Sequence, residues 1–204
     1  MFCLSTGSYL HAEEGELAHK QPQTKADMAA VFHQNNQRYM RWLDDYFAEL
    51  PEAAYQFDFL IGEWNTELVA YNLDGEVVNT VPGTWQAEKI NGGRMIVDRY
   101  ESTLPNSAVL SGGTTLRTFS PETQQWEMVF LTPMQANIAH QFVATFNAGE
   151  IHGRAYGKDL DGIETWSKIR FFDIQATRFA WELEMSWDDG KTWFKTRTIQ
   201  AERP

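Results

Sequence analysis

The spacing of apolar residues along this 204-residue chain changes near Gly62, and the change separates a helical segment from a β-rich one. Across residues 24–50 the apolar side chains recur mostly every three or four positions, which predicts an amphipathic helix. Thr24 and Asp27 match a helix-capping box, with Asp in place of the usual Glu. Two adjacent asparagines at 35–36 interrupt the pattern and indicate a kink or a break.

A shorter helical segment is predicted immediately before this change of pattern. Pro51 suits the first position of a helix, the apolar Phe57 follows it, and Gly62 suits a helix end. The predicted organisation has three parts: a flexible lead-in at 1–23, an amphipathic helix at 24–50, and a plug helix with a β-barrel domain at 51–204.

Beyond Gly62 the chain alternates short β-like runs with turn dipeptides. Asp74-Gly75, Asn91-Gly92 and Asp161-Gly162 are typical of hairpin turns. About ten strands are predicted, and their short connections require antiparallel neighbours. We therefore expect an all-β, antiparallel up-and-down barrel, because closing the sheet leaves no exposed strand edge.

Two of the predicted strands show which side chains share a face. In the strand near residues 178–187, apolar and polar residues alternate, which predicts one buried and one wet side. The apolar side comprises Phe179, Trp181, Leu183, Met185 and Trp187. In an earlier strand His140 alternates with apolar residues from Phe142 onwards, so we expect His140 to point into the barrel.

The segment Phe-Asp-Phe-Leu-Ile-Gly-Glu-Trp at 57–64 places a Gly-x-Trp motif between the short helix and the first strand. This motif resembles the start of lipocalins, in which the Gly lets the chain turn and the Trp plugs the closed end of the barrel. It resembles still more closely an uncharacterised group of bacterial calycin-like domains with a Phe-x-x-Gly-x-Trp start. The resemblance covers about residues 55–203 and implies a calycin-like (lipocalin-like) barrel with N-terminal helices.

The resemblance also sets expectations for single residues. In lipocalins an Arg near the last strand stacks on the motif Trp, and here both Arg197 and Arg203 are candidates for stacking on Trp64. Haem-binding relatives of this barrel use a late His as the iron ligand, but no His follows His152 in this chain. The resemblance therefore implies no haem, and we expect no cofactor.

The segment Ser-Trp-Asp-Asp-Gly-Lys-Thr-Trp at 186–193 matches the Asp-box pattern Ser-x-Asp-x-Gly-x-Thr-Trp. In such a turn the Asp accepts hydrogen bonds within a tight hairpin, the Gly supplies a positive φ, and the Trp packs beneath. A propeller would need several copies, and this chain has one. We interpret the segment as a stabilised hairpin and not as a mark of glycosidase activity.

Composition narrows the classes of partner. A net charge of -11 repels phosphate backbones and anionic lipid surfaces, so we expect neither nucleic acid nor a membrane as partner. The single cysteine, Cys3, excludes a disulfide framework and any Cys-based metal site, and we expect no metal. The chain shows neither a signal peptide nor an apolar run of about 20 residues, which favours a cytoplasmic location.

The chain is rich in aromatic residues (8 Trp, 7 Tyr and 13 Phe), and such rings line ligand cavities as well as cores. A barrel of about eight to ten strands has room for its side chains and one small ligand. No catalytic motif stands out, so no catalytic residue is assigned. The expected ligand-binding residues are Trp64, Trp126, His140, Trp181 and Met185, with His140 as the polar anchor.

The sequence does not decide which side of the barrel several polar strand residues face. His152 follows His140 on the next strand, and the two lie together if the register allows it. Arg170 would be a buried charge in need of a partner if it shared the inward side with Trp166. Solvent is the expected environment for most of the charged strand residues, namely Arg94, Asp98, Lys168 and Arg170.

Three functions fit these expectations. The leading one is the binding or carriage of a small hydrophobic or aromatic ligand in the barrel cavity. The second is an enzyme of isomerase, cyclase or hydratase type, which acts on an apolar substrate in the same cavity and needs two converging polar groups. The third is a homodimeric interaction module without a ligand, in which the helix at 24–50 covers its aromatic face with a second copy. The alternative for that aromatic face is packing on the outer wall of its own barrel.

Overall fold

The computed structural model describes residues 24–47, 49–103, 109–132, 138–159 and 161–204. The chain divides into two compact units, Met1–Leu50 and Pro51–Pro204. Within the described residues, the first unit consists of one helix and the second of the β-barrel with its plug. The predicted lead-in at 1–23 lies outside the described residues.

Helix α1 spans Lys25–Phe47, close to its predicted bounds. The capping box is confirmed, because the Asp27 amide donates to Thr24 Oγ1 (3.1 Å) and the Thr24 amide donates to Asp27 Oδ2 (3.0 Å). The predicted interruption at 35–36 is wrong, since the helix continues through both asparagines, whose helix propensity is only moderately low. The side chains described in α1, at 25–40, are exposed.

The second unit is a closed antiparallel barrel of ten strands, which confirms the predicted fold class. Each strand pairs with the next one along the chain, and the last strand pairs with the first, so both edges of the sheet are satisfied. The strands are β1 Gly62–Tyr71, β2 Val77–Ile90, β3 Met95–Thr103, β4 Val109–Ser120, β5 Gln125–Leu131, β6 Ile138–Asn147, β7 Glu150–Lys158, β8 Glu164–Phe172, β9 Arg178–Ser186 and β10 Phe194–Glu202.

The register of strand pairing defines the inner face of the barrel. Side chains directly opposite each other on neighbouring strands point to the same side of a sheet. Trp64 of β1 lies opposite Trp85 of β2, which lies opposite Tyr100 of β3. On the other side of the barrel, Trp181 of β9 lies opposite the fully buried Phe171 of β8, so the apolar side predicted for β9 is the inner one.

One end of the barrel, here called the plug end, is closed by two short 3₁₀ turns at Glu52–Tyr55 and Asp58–Leu60. They replace the single plug helix that the sequence predicts. The two turns direct Phe57 and Leu60 into the barrel, where both side chains are fully buried. The Phe57 ring meets the ring of Trp126 edge-on, with 4.9 Å between the centroids.

The Gly-x-Trp motif has the structural role that the resemblance implies. Trp64 is 1% exposed, and its indole N–H donates to the carbonyl oxygen of Leu60 at 2.8 Å. Of the two candidate arginines it is Arg203, and not Arg197, that stacks on Trp64, with 3.6 Å between the guanidinium carbon and the ring centroid. Gly62 is required here, because its φ is +107° and a Cβ would lie 2.6 Å from Arg203 Nη1.

The Arg203 guanidinium also ties the plug to the barrel. It donates hydrogen bonds to three carbonyl oxygens of the plug and of β1, those of Phe59 (3.1 Å), Ile61 (2.7 Å) and Glu63 (3.1 Å). The backbone amide of Arg203 donates to the carbonyl oxygen of Thr177, in the turn between β8 and β9, at 3.0 Å. A single side chain thus connects the plug, the first strand and the end of the last strand.

A buried ion pair lies next to the plug. Arg117 Nε donates to Asp98 Oδ2 at 2.6 Å, and the two side chains are 3% and 1% exposed. Asp98 Oδ1 also accepts from the Trp85 indole at 2.8 Å, and the Arg117 guanidinium lies 4.7 Å from the centre of the Phe57 ring. The expectation of solvent is therefore wrong for Asp98. It shares the inner face with the buried Ile96, and Arg117 compensates its charge.

The Asp-box segment forms the stabilised hairpin that the sequence predicts. Asp188 Oδ1 accepts from the amides of Thr192 (2.8 Å) and Lys191 (3.1 Å), and the Trp193 indole donates to the Gly190 carbonyl oxygen at 2.9 Å. Hydrogen bonds from Thr192 first, and then from the hydroxyl of Ser186, lower the pKa of Asp188 to about 2. The carboxylate therefore stays charged and bonded to the turn at neutral pH.

Replacing Gly62 with Ala is expected to destabilise the protein more than replacing Gly75 with Ala. Both glycines have a positive φ, +107° and +82°, so both substitutions carry backbone strain of about 1–2 kcal/mol. A Cβ at position 62 would in addition force the Arg203 guanidinium to shift, whereas no described atom lies within 4 Å of one at position 75. Urea unfolding of both variants measures the difference, and equal losses of stability would contradict the role given to Arg203.

Candidate functional site

The two ends of the barrel differ in how completely their inner side chains fill the interior. At the plug end, inner residues such as Ile96, Ile151 and Phe171 are at most 1% exposed. At the opposite end, here called the open end, inner side chains keep accessible surface although they point into a closed sheet. The region that these side chains surround is here called the lumen, and the partly exposed inner residues are Leu68, Phe130, His140, Trp181, Leu183 and Met185.

The structure separates the five predicted ligand-binding residues into two groups. Trp64 and Trp126 lie at the plug end, 1% and 2% exposed. The indole N–H of Trp126 is also taken by the plug, since it donates to a glutamine side chain there at 3.2 Å. His140, Trp181 and Met185 instead lie on the inner face towards the open end. The lumen therefore brings together the second group and not the first.

Three polar side chains enter the lumen from three strands: Tyr100 of β3, His140 of β6 and Arg197 of β10. Arg197 lies opposite Leu183 and two residues before the buried Ile199, which places it on the inner face. The register gives Tyr100 and His140 the same orientation. The positive charge of Arg197 acts on the pKa of both Tyr100 and His140, so Arg197 lies within electrostatic range of both groups.

The Arg197 guanidinium is a lumen cation without a counter-ion among the described residues. Its surface is accessible to water, yet enough protein surrounds it that desolvation lowers its pKa. The guanidinium therefore keeps contact with water although protein atoms crowd around it. The inner carboxylate of Asp98 does not compensate it, because Arg117 and Trp85 already bind that carboxylate.

Tyr100 and His140 are both neutral at pH 7. Desolvation raises the pKa of Tyr100 above 10.0, although the hydroxyls of Ser102 and Thr66 and the charge of Arg197 oppose the rise. Desolvation, together with the charge of Arg197, lowers the pKa of His140 below 6.5. Neither the Tyr100 hydroxyl nor His140 Nδ1 makes a well-aligned hydrogen bond to a described residue. Both atoms are almost completely covered by protein.

His152 and Arg170 lie on the outer wall. His152 Nε2 contacts a carboxylate oxygen of Glu150 at 3.1 Å, so the hypothesis of a pair with His140 is wrong. Arg170 donates to Glu182 at 2.8 Å on the outer side of β8, whose inner side consists of the alternate positions. Within the part of the chain that the structure describes, no group of three or more His, Cys, Asp or Glu side chains forms a metal site.

A separate groove of about 500 Å³ crosses the outer wall of the barrel, mainly over β6 to β9. Its lining is largely charged, and its charged groups bind one another, as Arg170 does with Glu182 (2.8 Å) and Glu150 (3.4 Å). This polar groove does not match the apolar cavity that the sequence predicts.

Apolar side chains border the open end. Leu73, Val77 and Val78, in the β1–β2 hairpin, and Ile163, in the β7–β8 turn, are each more than half exposed. Trp187, directly after β9, is 37% exposed. Exposed apolar residues grouped around one opening are typical of a site that exchanges apolar molecules or contacts another apolar surface.

Sequence patterns alone did not identify Tyr100, and they pointed to Arg197 only as a partner for Trp64. The alternation along β3 puts Asp98 and Tyr100 on the face of the apolar Ile96, and this pattern is visible in the sequence. The pattern along one strand does not show which residues lie across the lumen, because those residues belong to strands far away in the chain.

Comparison with known proteins identifies the fold and no family. No family model and no curated protein matches the chain. Among solved structures, the S-type phycobiliprotein lyase CPES from Guillardia theta is 11% identical, with a TM-score of 0.53 over 72% of this chain and 90% of that one. Rv2717c from M. tuberculosis is 12% identical, with a TM-score of 0.57 over 76% and 99% of the two chains.

These neighbours are calycin-like barrels of the lipocalin type. This chain has the same fold. At such low identity the likeness extends to the calycin-like fold alone, and membership of the bacterial group with the Phe-x-x-Gly-x-Trp start stays a prediction. None of the described helices of this calycin-like protein combines the length and the apolar character needed to cross a membrane.

The shared lumen predicts that Arg197→Gln raises the pKa of His140, because the substitution removes a neighbouring positive charge. Desolvation persists in the variant, so the pKa should stay below 6.5. NMR titration of the imidazole protons measures both values. Arg170→Gln removes a guanidinium from the outer wall and should leave the His140 pKa unchanged. An unaltered pKa in Arg197→Gln would contradict the placement of both groups in one lumen.

The lowered pKa of His140 also predicts how the stability of the protein depends on pH. Below pH 6.5 the unfolded chain protonates His140 more readily than the folded barrel does. The free energy of unfolding therefore decreases as the pH falls from 6.5 through the folded-state pKa. Replacing His140 with Gln should remove this part of the pH dependence.

Proposed function

We propose that the barrel binds a small hydrophobic or aromatic molecule in its lumen. The observation that carries this proposal is the incomplete filling of the inner face at the open end. Trp181, Leu183 and Met185 keep accessible surface there although they point into a closed sheet. Apolar surface left in water costs about 25 cal/mol per Å², and a ligand that covers it recovers that free energy.

The chemistry of the lining favours a ligand with an apolar or aromatic body. Trp181 and Phe130 offer large ring faces, and Met185 offers a flexible thioether that adapts to irregular shapes. His140 stands among these groups, with its ring 5.8 Å from the ring of Phe142. Apolar walls with a few polar groups are the usual composition of small-molecule sites.

An enzyme of isomerase, cyclase or hydratase type in the same lumen is the second candidate. Such an enzyme needs at least two converging polar groups, and Tyr100, His140 and Arg197 meet that condition. A neutral His140 can accept a proton and a neutral Tyr100 can donate one. The neighbour in fold that is described as a phycobiliprotein lyase is an example of this type of barrel in an enzyme.

The uncharged fluorophore N-phenyl-1-naphthylamine tests the binding proposal. We expect saturable binding, an increase in dye fluorescence and quenching of Trp emission. Trp181→Ala should weaken binding about tenfold, because it removes a large ring from the wall. Trp166→Ala is the matched control, since Trp166 lies on the outer side of β8 and its indole N–H is bonded to Asp189.

Two outcomes separate the candidates. A wild-type protein that does not bind the dye saturably, or an equal loss in both Trp variants, contradicts the lumen as the binding site. Turnover of an apolar substrate that His140→Ala abolishes, while the dye still binds, favours the enzyme.

We further propose a cytoplasmic location and a homodimer formed through the helix at 24–50. The apolar side chains described in α1 support association, since Met28 and Phe32 are 53% and 68% exposed. Its remaining aromatic positions, from 41 to 48, have no described side chains.

Light scattering tests the dimer. The full chain should have twice the mass of one copy, and a chain that begins at Pro51 should be a monomer, because the truncation removes the associating helix. A monomeric full chain contradicts the proposal. A dimer that persists after truncation assigns the contact to the barrel instead.

A further inference from the structure

We infer that the lumen takes an amphipathic monoanion, such as an apolar carboxylic acid, whose charged group binds to Arg197. The inference rests on the proposed ligand-binding function and adds the chemical class of the ligand. The anionic group lies at the guanidinium, with the Tyr100 hydroxyl and the His140 imidazole beside it. The apolar body of the ligand lies against Trp181 and Met185.

A comparison with the other cations on the inner face, which have carboxylate partners, supports this assignment. Arg117 forms a bidentate pair with Asp98, through Nε (2.6 Å) and Nη2 (3.1 Å). Lys89, at the plug end, binds Asp58 at 2.7 Å. Among the described residues, Arg197 is the inner cation that no carboxylate accompanies. A partly desolvated cation gains free energy from a neighbouring anion, and the protein supplies that anion at two sites and not at the third.

The number of charges selects a monoanion. Tyr100 and His140 are neutral at pH 7, so Arg197 is the one positive charge among these three groups. A carboxylate matches one guanidinium in charge and geometry, because the two groups form parallel hydrogen bonds. A phosphate monoester with nearly two negative charges would bring a second charge into the lumen without compensation.

Water in the lumen is the alternative partner of Arg197. Water would hydrate the guanidinium, but it would leave the apolar surface of Trp181, Leu183 and Met185 uncovered. One amphipathic molecule with a charged head and an apolar body satisfies both needs at once. The net charge of -11 repels anions at long range, so the affinity for an anion must come from the local charge of Arg197.

Displacement of bound N-phenyl-1-naphthylamine tests the inference on the full chain. The competitors are decanoate, decan-1-ol and decyl phosphate, which share one apolar chain and differ in the charge of the head. We expect decanoate to compete at least tenfold better than decan-1-ol and better than decyl phosphate. Arg197→Met should remove at least tenfold of the decanoate affinity and leave the decan-1-ol affinity within about twofold.

Two variants serve as controls. Arg197→Lys keeps the positive charge and should retain a preference for decanoate over decan-1-ol, although a smaller one because the bidentate geometry is lost. Arg170→Met removes a guanidinium from the outer wall and should leave the preference at its wild-type size. The near-ultraviolet circular dichroism of Arg197→Met, compared with that of the wild-type protein, shows that the variant is folded.

Each result decides a separate statement. Equal competition by decanoate and decan-1-ol, with the dye still bound, overturns the monoanion and leaves the proposed function standing. A preference for decyl phosphate overturns the charge count. A decanoate preference that persists in Arg197→Met overturns the role of Arg197. Failure of the wild-type protein to bind the dye overturns the proposed function, and the monoanion with it.

Discussion

The pairing of β1 with β10 is the contact on which the rest of the structure depends. It turns a ten-stranded sheet into a closed ring, whose interior must be filled by side chains or by a ligand. The protein resolves this constraint differently at its two ends. At the plug end the 3₁₀ turns insert Phe57 and Leu60, and Trp64 packs beside them. At the open end the described inner side chains keep accessible surface.

Two arginines near the end of the chain have different roles at the two ends of the barrel. Arg203 has its guanidinium on the Trp64 ring and donates hydrogen bonds to three carbonyl oxygens, so its role is structural. Arg197, on the inner face of β10, has no comparable partners among the described residues. Because this barrel fold occurs at 11% and 12% identity in other proteins, function must be argued from such a site and not from the fold.

The sequence by itself determined the architecture. The change from helical to strand spacing near Gly62, the turn dipeptides and the short connections predicted an antiparallel barrel of about ten strands, and the structure has ten. Local motifs were equally informative, since the capping box of α1, the Gly-x-Trp start and the Asp-box hairpin all have their predicted geometry. These features are readable because each depends on residues close together in the chain.

Only the tertiary structure decided which side chains meet inside the barrel. Alternation divides a strand into two faces, but the closed sheet determines which face is interior, and so Asp98 is buried while Arg170 is on the outer wall. The choice between Arg197 and Arg203 as partner of Trp64 depended in the same way on the end of β10. Tyr100, His140 and Arg197 come from three strands that are far apart in sequence, and their common site follows from the register of all ten strands. Register is a non-local property, which a local pattern of apolar and polar residues does not encode.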